Sequence, residues 1–100
     1  MSSGADGAGG GAVTRVMKIV NEKGLHARAS AKFVQLVEKY DAKVSVSRAG
    51  ESAGGDSIMG LMMLAAGIGT SITVSATGVQ AAQVIDALDA LVSSRFGEDE

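Results

Sequence analysis

The sequence predicts an α+β domain: a four-stranded antiparallel sheet with three helices on one face. The expected order is strand, helix, strand, strand, helix, strand, helix. Three observations lead there. Residues 42–47 and 71–77 alternate apolar and small polar side chains, so each segment has one dry and one wet face. Two longer segments, 27–40 and 80–95, carry apolar residues at helical spacing. Short glycine-bearing turns punctuate the rest.

In chain order, residues 1–12 are Gly, Ala, Ser and little else beyond one Asp. They have almost nothing to bury against the entropy of ordering, and a flexible tail is expected. Val13 to Val20 is rich in β-branched residues and reads as a strand, though both alternate sets are apolar enough to be the buried one. Asn21-Glu22-Lys23-Gly24 is a turn. In the helix expected over 27–40, Phe33, Leu36, Val37 and Tyr40 form one stripe, with Lys32, Gln35, Glu38 and Lys39 on the wet side. Ala49-Gly50 suits a hairpin turn between the 42–47 strand and a short one at 51–54. Ser57 suits the N-cap of a short helix over 58–66 that Gly67 and Gly69 end. Ile58, Leu61 and Ala65 are its expected inner side. Val84, Ile85, Leu88, Leu91 and Val92 are the buried stripe of the last helix, and Gly97 to Glu100 is an acidic, fraying end. The folded domain is thus expected over 13–97, with 98–100 as the acidic tail.

Composition narrows the function. The 100 residues make a single domain. With 46% hydrophobic residues, no Trp, no Pro and three aromatics, the core must be aliphatic. No Cys is present, which excludes disulfides, thiolate metal sites and cysteine nucleophiles. No apolar run is long enough to span a bilayer, and the N-terminus lacks a signal-peptide pattern, so a cytoplasmic protein without a membrane role is expected. A net charge of −2 argues against nucleic-acid binding.

The informative stretch is Gly24-Leu25-His26-Ala27-Arg28-Ala29-Ser30-Ala31, which holds the only histidine. His26 falls where a loop meets a helix N-terminus. There, unpaired amides and a partial positive charge form a ready anion site. The amides of Ala27, Arg28 and Ala29 belong to that first turn. The Arg28 guanidinium can fork onto phosphate oxygens. Lys23 and Lys32 add positive potential. A free imidazole titrates at ~6.5, so a nucleophilic ring is accessible near neutral pH. Such a site can accept a phosphoryl group as a labile P–N bond and pass it on. A lone histidine in a turn is more commonly a plain polar residue; the residues around this one favour chemistry. One histidine makes a poor metal site, and no hydrolase triad can be assembled.

Gly24-Leu25-His26-Ala27-Arg28 resembles the active loop of the histidine-containing phosphocarrier proteins, the HPr family of the bacterial phosphotransferase system. The resemblance covers residues 13–96. It implies the family's open-faced β-sandwich. It also implies that His26 accepts phosphate on Nδ1 from Enzyme I, itself charged by phosphoenolpyruvate, and donates it to a IIA protein. Arg28 would stabilise the phosphate. The protein would then be a carrier that needs no metal or cofactor of its own, not an enzyme, and a monomer. One departure stands out: Ala29 replaces the family's usual proline, adding an N–H donor and losing rigidity. That N–H is expected to reach the phosphate or a loop acceptor such as Ser30.

The second informative stretch is Ser57 to Leu64. Its helix is apolar nearly all round, so Met59, Met62 and Met63 are expected to be partly exposed, as an adaptable docking surface rather than core filling. The resemblance implies docking of Enzyme I and IIA proteins here, with Gly60 among the docking residues. Ser57 has a structural role as a cap worth ~1 kcal/mol. Its position also matches the family's regulatory serine, phosphorylated by HPr kinase/phosphorylase, where a phosphate would place charge beside the docking face. The run Gly55 to Ala66 is similar to the α-proteobacterial, nitrogen-type branch, which implies a regulatory relay toward a nitrogen-type or mannose-type IIA protein. The rival reading is a regulatory module that docks on metabolic or transcriptional regulators under control of Ser57 phosphorylation, with His26 idle.

Overall fold

The computed structural model describes residues 11–99; of the tail expected over 1–12, residues 1–10 lie outside the described residues. Its elements are β1 (Val13–Lys18), α1 (Ala27–Val37), β2 (Lys43–Arg48), β3 (Glu51–Gly54), α2 (Ile58–Met63), β4 (Ser71–Thr77) and α3 (Ala81–Ser93). A 3-10 turn at Arg95–Gly97 follows. The four strands form one antiparallel sheet in the order β1-β4-β2-β3. This is the predicted α+β open-faced sandwich.

Period-two alternation sets the two faces. Val44 and Val46 of β2 and Ile72, Val74 and Ala76 of β4 point under the helices and are buried. β1, whose face the sequence left open, turns Met17 inward and leaves Thr14, Val16 and Lys18 exposed. Arg15 lies on the helix side of β1 and pairs with Asp86 and Asp89 of α3, each at 3.0 Å. Phe33, Val34 and Val37 of α1 and Val84, Ile85, Leu88 and Val92 of α3 complete an aliphatic core. Val34 was not part of the predicted stripe; Leu36, Tyr40 and Leu91, which were, are only half-buried. In the hairpin, Ala49 and Gly50 both take positive φ, 52° and 84°, as a two-residue type I′ connection requires.

Several boundaries differ from the predicted ones, each for a local reason. β1 stops at Lys18, although Ile19 still pairs with the chain at 69–70: its N–H donates to Thr70 O and its carbonyl accepts from Gly69 N. α1 ends at Val37 because Lys39 and Tyr40 donate to Leu36 O and Val37 O, tightening the last turn. α2 ends at Met63, and the left-handed residue that stops it is Ala65 (φ 54°), not Gly67. With so short a helix, its inner side also differs: Leu61, Leu64 and Ala66 are buried, whereas Ile58 and Ala65 are exposed. α3 ends at Ser93, since Arg95 and Phe96 take positive φ, 62° and 55°. That turn drives Phe96 into the core with no exposed surface, so the segment expected to fray is anchored as far as Glu98.

Gly24 joins the two informative stretches. It has φ +63°, and a Cβ there would lie 2.3 Å from the Ala66 carbonyl oxygen. The next residue, Leu25, donates its N–H to that same oxygen at 3.0 Å. Gly24→Ala is therefore expected to lower stability by about 2 kcal/mol or more, combining backbone strain with a clash against backbone. A lower urea midpoint with unchanged m-value would record it.

Candidate functional site

His26 is the N-cap residue of α1, in extended conformation (φ −77°, ψ −177°). Its carbonyl accepts the first helical bond, from Ser30 N at 2.8 Å, while its side chain caps nothing. The imidazole is thus free to point out of the turn. Among the described residues, the amides of Ala27, Arg28 and Ala29 have no hydrogen-bond acceptor. The extra N–H of Ala29 makes no bond to Ser30, whose hydroxyl donates to Leu25 O at 3.2 Å. Two of these donors, on exposed Ala27 and Arg28, stand open to an anion at the helix N-terminus, whereas Ala29, expected to offer a third, is fully buried.

The ring is held from its other side. His26 Nε2 lies 2.5 Å from Glu98 Oε2. Asn21 Nδ2 donates to Glu98 Oε1 at 3.0 Å and also to Gly24 O at 2.9 Å. Because both partners are acceptors, the Asn21 amide must present its NH2 to them; its Oδ1 is buried and unpaired. Burial pushes the Glu98 carboxyl up, but the hydrogen bonds from Asn21 and His26, with the charges of His26 and Lys23, outweigh it and hold the group below the usual carboxylate range. Near neutral pH, Glu98 is thus an acceptor only. His26 must donate from Nε2, which leaves Nδ1 of the neutral ring with its lone pair.

Positive side chains surround this arrangement. Lys23, His26, Ala27, Arg28, Lys32, Gly97, Glu98 and Asp99 line one shallow cleft. Arg28 is exposed and has no ion-pair partner among the described residues. Lys32 is committed elsewhere, donating from Nζ to Phe96 O at 2.6 Å. A larger concavity bounded by Tyr40, Asp41, Val44, Asp56 and Thr77 contains none of the predicted site residues. No group of three His, Cys, Asp or Glu residues among those described is placed to hold a metal ion. No helix among them is long and apolar enough to cross a membrane.

Ser57 caps α2 as expected, its Oγ accepting from Gly60 N at 2.9 Å. Met59 and Met63 are 68% and 78% exposed and Met62 is 36% exposed. Gly60 instead packs under the cap: a Cβ there would lie 2.9 Å from Ser57 Oγ and 3.0 Å from Ala53 Cβ. Ile58 and Ile68 extend the exposed apolar surface. Arg48 reaches across from β2 to donate to Leu64 O at 3.0 Å, tying down the end of α2.

Sequence reasoning thus missed Asn21, Glu98 and Ile68. Asn21 carried only a turn signal, and an acidic residue near a chain end carries none. An isoleucine between Gly67 and Gly69 was a weak sign of a displayed apolar side chain.

The contact at Glu98 fixes a sign for pH dependence. Its pKa is lower in the folded protein than its ordinary value of 4.5. The contribution of the carboxylate to stability is therefore fully present above that value and disappears as pH falls through the lower, folded one. The stability difference between the parent and Glu98→Gln, measured by urea unfolding, should shrink toward zero as pH falls below about 5.

Comparison with known proteins agrees with these features. The family model described as "PTS HPr component phosphorylation site" matches residues 13–94. Phosphocarrier protein HPr of Cupriavidus necator is 50% identical over 82 residues, covering 82% of this chain and 92% of that protein. Phosphocarrier protein NPr of Shewanella violacea is 38% identical over 84 residues, covering 84% and 92% respectively. The crystal structure of HPr from Thermoanaerobacter tengcongensis superposes with a TM-score of 0.83 at 35% identity, covering 88% of this chain and 99% of that one. With a lone histidine at a helix N-terminus and these relatives along nearly the whole fold, the chain belongs to the HPr family, the phosphocarrier proteins of the phosphotransferase system.

Proposed function

We propose that His26 is the phosphoryl acceptor, receiving its group from Enzyme I and passing it to a IIA protein. One observation carries this reading. Nε2 is engaged by Glu98 while Nδ1 has no hydrogen-bond partner among the described residues, on the residue that caps a helix whose exposed first-turn amides, Ala27 and Arg28, are unbonded. The Nδ1 lone pair attacks phosphorus as the donor's bond to phosphorus breaks. The exposed amides of Ala27 and Arg28 and the guanidinium of Arg28 then hold the phosphoryl oxygens, with buried Ala29 behind them. The work is positioning and charge stabilisation, so the protein is a transiently modified carrier rather than a catalyst.

Partners dock on the exposed methionines Met59, Met62 and Met63, with Ile58 and Ile68 extending that surface. Ser57 regulates the docking. Phosphate on its Oγ replaces a neutral cap by a group of roughly −1.5 to −2 charge at the edge of the apolar surface. HPr kinase/phosphorylase is the modifying enzyme. The nitrogen-type branch is supported by the 38% identical relative named NPr. The methionine-rich run from Gly55 to Ala66 supports it as well. In that relay the acceptor is a nitrogen-type or mannose-type IIA protein. A second reading has its own observation: the Ser57 cap stands next to exposed Met59 and could switch docking with His26 unused.

Incubation with Enzyme I, magnesium and phosphoenolpyruvate should place one acid-labile phosphate on the protein, and none on His26→Ala. Labelling of His26→Ala equal to that of the parent would overturn the acceptor assignment. Arg28→Ala should slow acceptance by about tenfold, the size of one lost charge-assisted contact. Met63→Glu and Ser57→Asp should each raise the KM for Enzyme I by about tenfold and leave kcat little changed, because they alter docking rather than chemistry. If His26→Ala still shows serine-phosphate-dependent binding to a regulator, the second reading gains its own footing.

A further inference from the structure

We propose that Glu98 is a positioning residue for phosphoryl transfer: it holds the His26 ring by Nε2 and balances the charge that appears on the ring when Nδ1 is phosphorylated. The inference rests on His26 being the acceptor. Its first support is an unbroken chain of contacts. Gly24 O and Glu98 Oε1 both accept from Asn21 Nδ2, and Glu98 Oε2 meets His26 Nε2. Both carboxylate oxygens are used, and the chain starts at the glycine that seats the loop on Ala66.

The second support is what the fold spends to bring the carboxylate there. Glu98 comes from 72 residues away. Arg95, Phe96 and Gly97 are all left-handed, at φ 62°, 55° and 76°, and two of the three are not glycine. The two that are not glycine are strained there. Burial of Phe96 and the bond from Lys32 Nζ to Phe96 O offset that strain. A solvated acidic tail would need neither.

The third support is the charge balance of the transfer. The neutral ring carries its proton on Nε2. As the Nδ1–P bond forms, the donor's bond to phosphorus breaks and its electron pair leaves with the donor. No proton leaves the ring, which becomes a phosphoimidazolium cation. Lys23 and Arg28 in the same cleft oppose that positive charge. Glu98 is the acidic side chain in hydrogen-bond contact with the ring, and its side chain is only 12% exposed against 27% for the histidine. A hydrogen bond to a carboxylate strengthens when its donor becomes a cation, so the contact favours the charged ring over the neutral one.

The test compares full-length parent, Glu98→Gln and Glu98→Ala in phosphoryl acceptance from Enzyme I, with 15N spectra of the His26 ring in each. Amide spectra first establish that each variant is folded. Glu98→Gln keeps the shape and one acceptor oxygen but loses the charge. Its kcat should fall about tenfold with KM unchanged within about twofold, the loss of one charge-assisted bond. Glu98→Ala should fall further, and its spectra should show the Nε2–H tautomer less dominant than in the parent. Parent-like kcat in both variants would overturn the proposal alone. So would a loss confined to KM, which makes Glu98 a docking contact. A parent that takes no phosphate would overturn the acceptor assignment and this proposal with it.

Discussion

The close approach of the loop before His26 to the chain after α2 is the contact on which the site depends. Leu25 donates to Ala66 O, and Gly24 passes so near the same oxygen that a side chain cannot fit. This one seam sets two geometries together. It fixes where α1 begins, and with it the direction of the first-turn amides and the position of the imidazole. It also fixes where α2 leaves off, and hence the methionines that follow Ser57. The His26 loop and the exposed methionines are therefore registered to each other through backbone, which moves far less than side chains do.

Around the seam, the molecule divides labour between its layers. The sheet supplies stiffness, with β4 paired on both edges at the centre. The helices supply termini: α1 offers an anion-seeking N-terminus at His26, and α2 offers a serine cap next to apolar surface. α3 lies against β1 through Arg15 and the two aspartates, and its continuation carries Glu98 to the ring. No element near the site serves a single purpose. Lys32, placed by charge alone among the phosphate-seeking groups, turns out to fasten the last segment instead.

What could be read from the sequence follows the range of the interaction involved. β2 and β4 declare themselves because alternation is a local pattern and one face of the sheet is wet. α1 and α3 do so because apolar spacing over three turns fixes a helix phase. His26, Arg28 and Ser57 were legible because loop, cap and helix start lie within a few residues of one another. A six-residue helix, by contrast, is too short to fix its phase, and Ile58 and Ala65 fell on the wrong side. Ala65 takes the left-handed turn expected of the glycines two and four residues on. The partnership of Glu98 with His26 was invisible because it spans nearly the whole chain and depends on two non-glycine residues bending backwards.

That long span has a kinetic meaning. The imidazole and its loop are made before Ala66, and Glu98 follows 72 residues behind His26. Chains grow at about 5–20 residues per second, so seconds separate these arrivals. During that interval, the first strand lacks β4, its neighbour in the sheet, and the ring lacks its carboxylate. The arrangement around His26 is consequently a property of the closed chain and not of its most recognisable segment. The contact between His26 and Glu98 therefore forms only once the segment after α3 has docked.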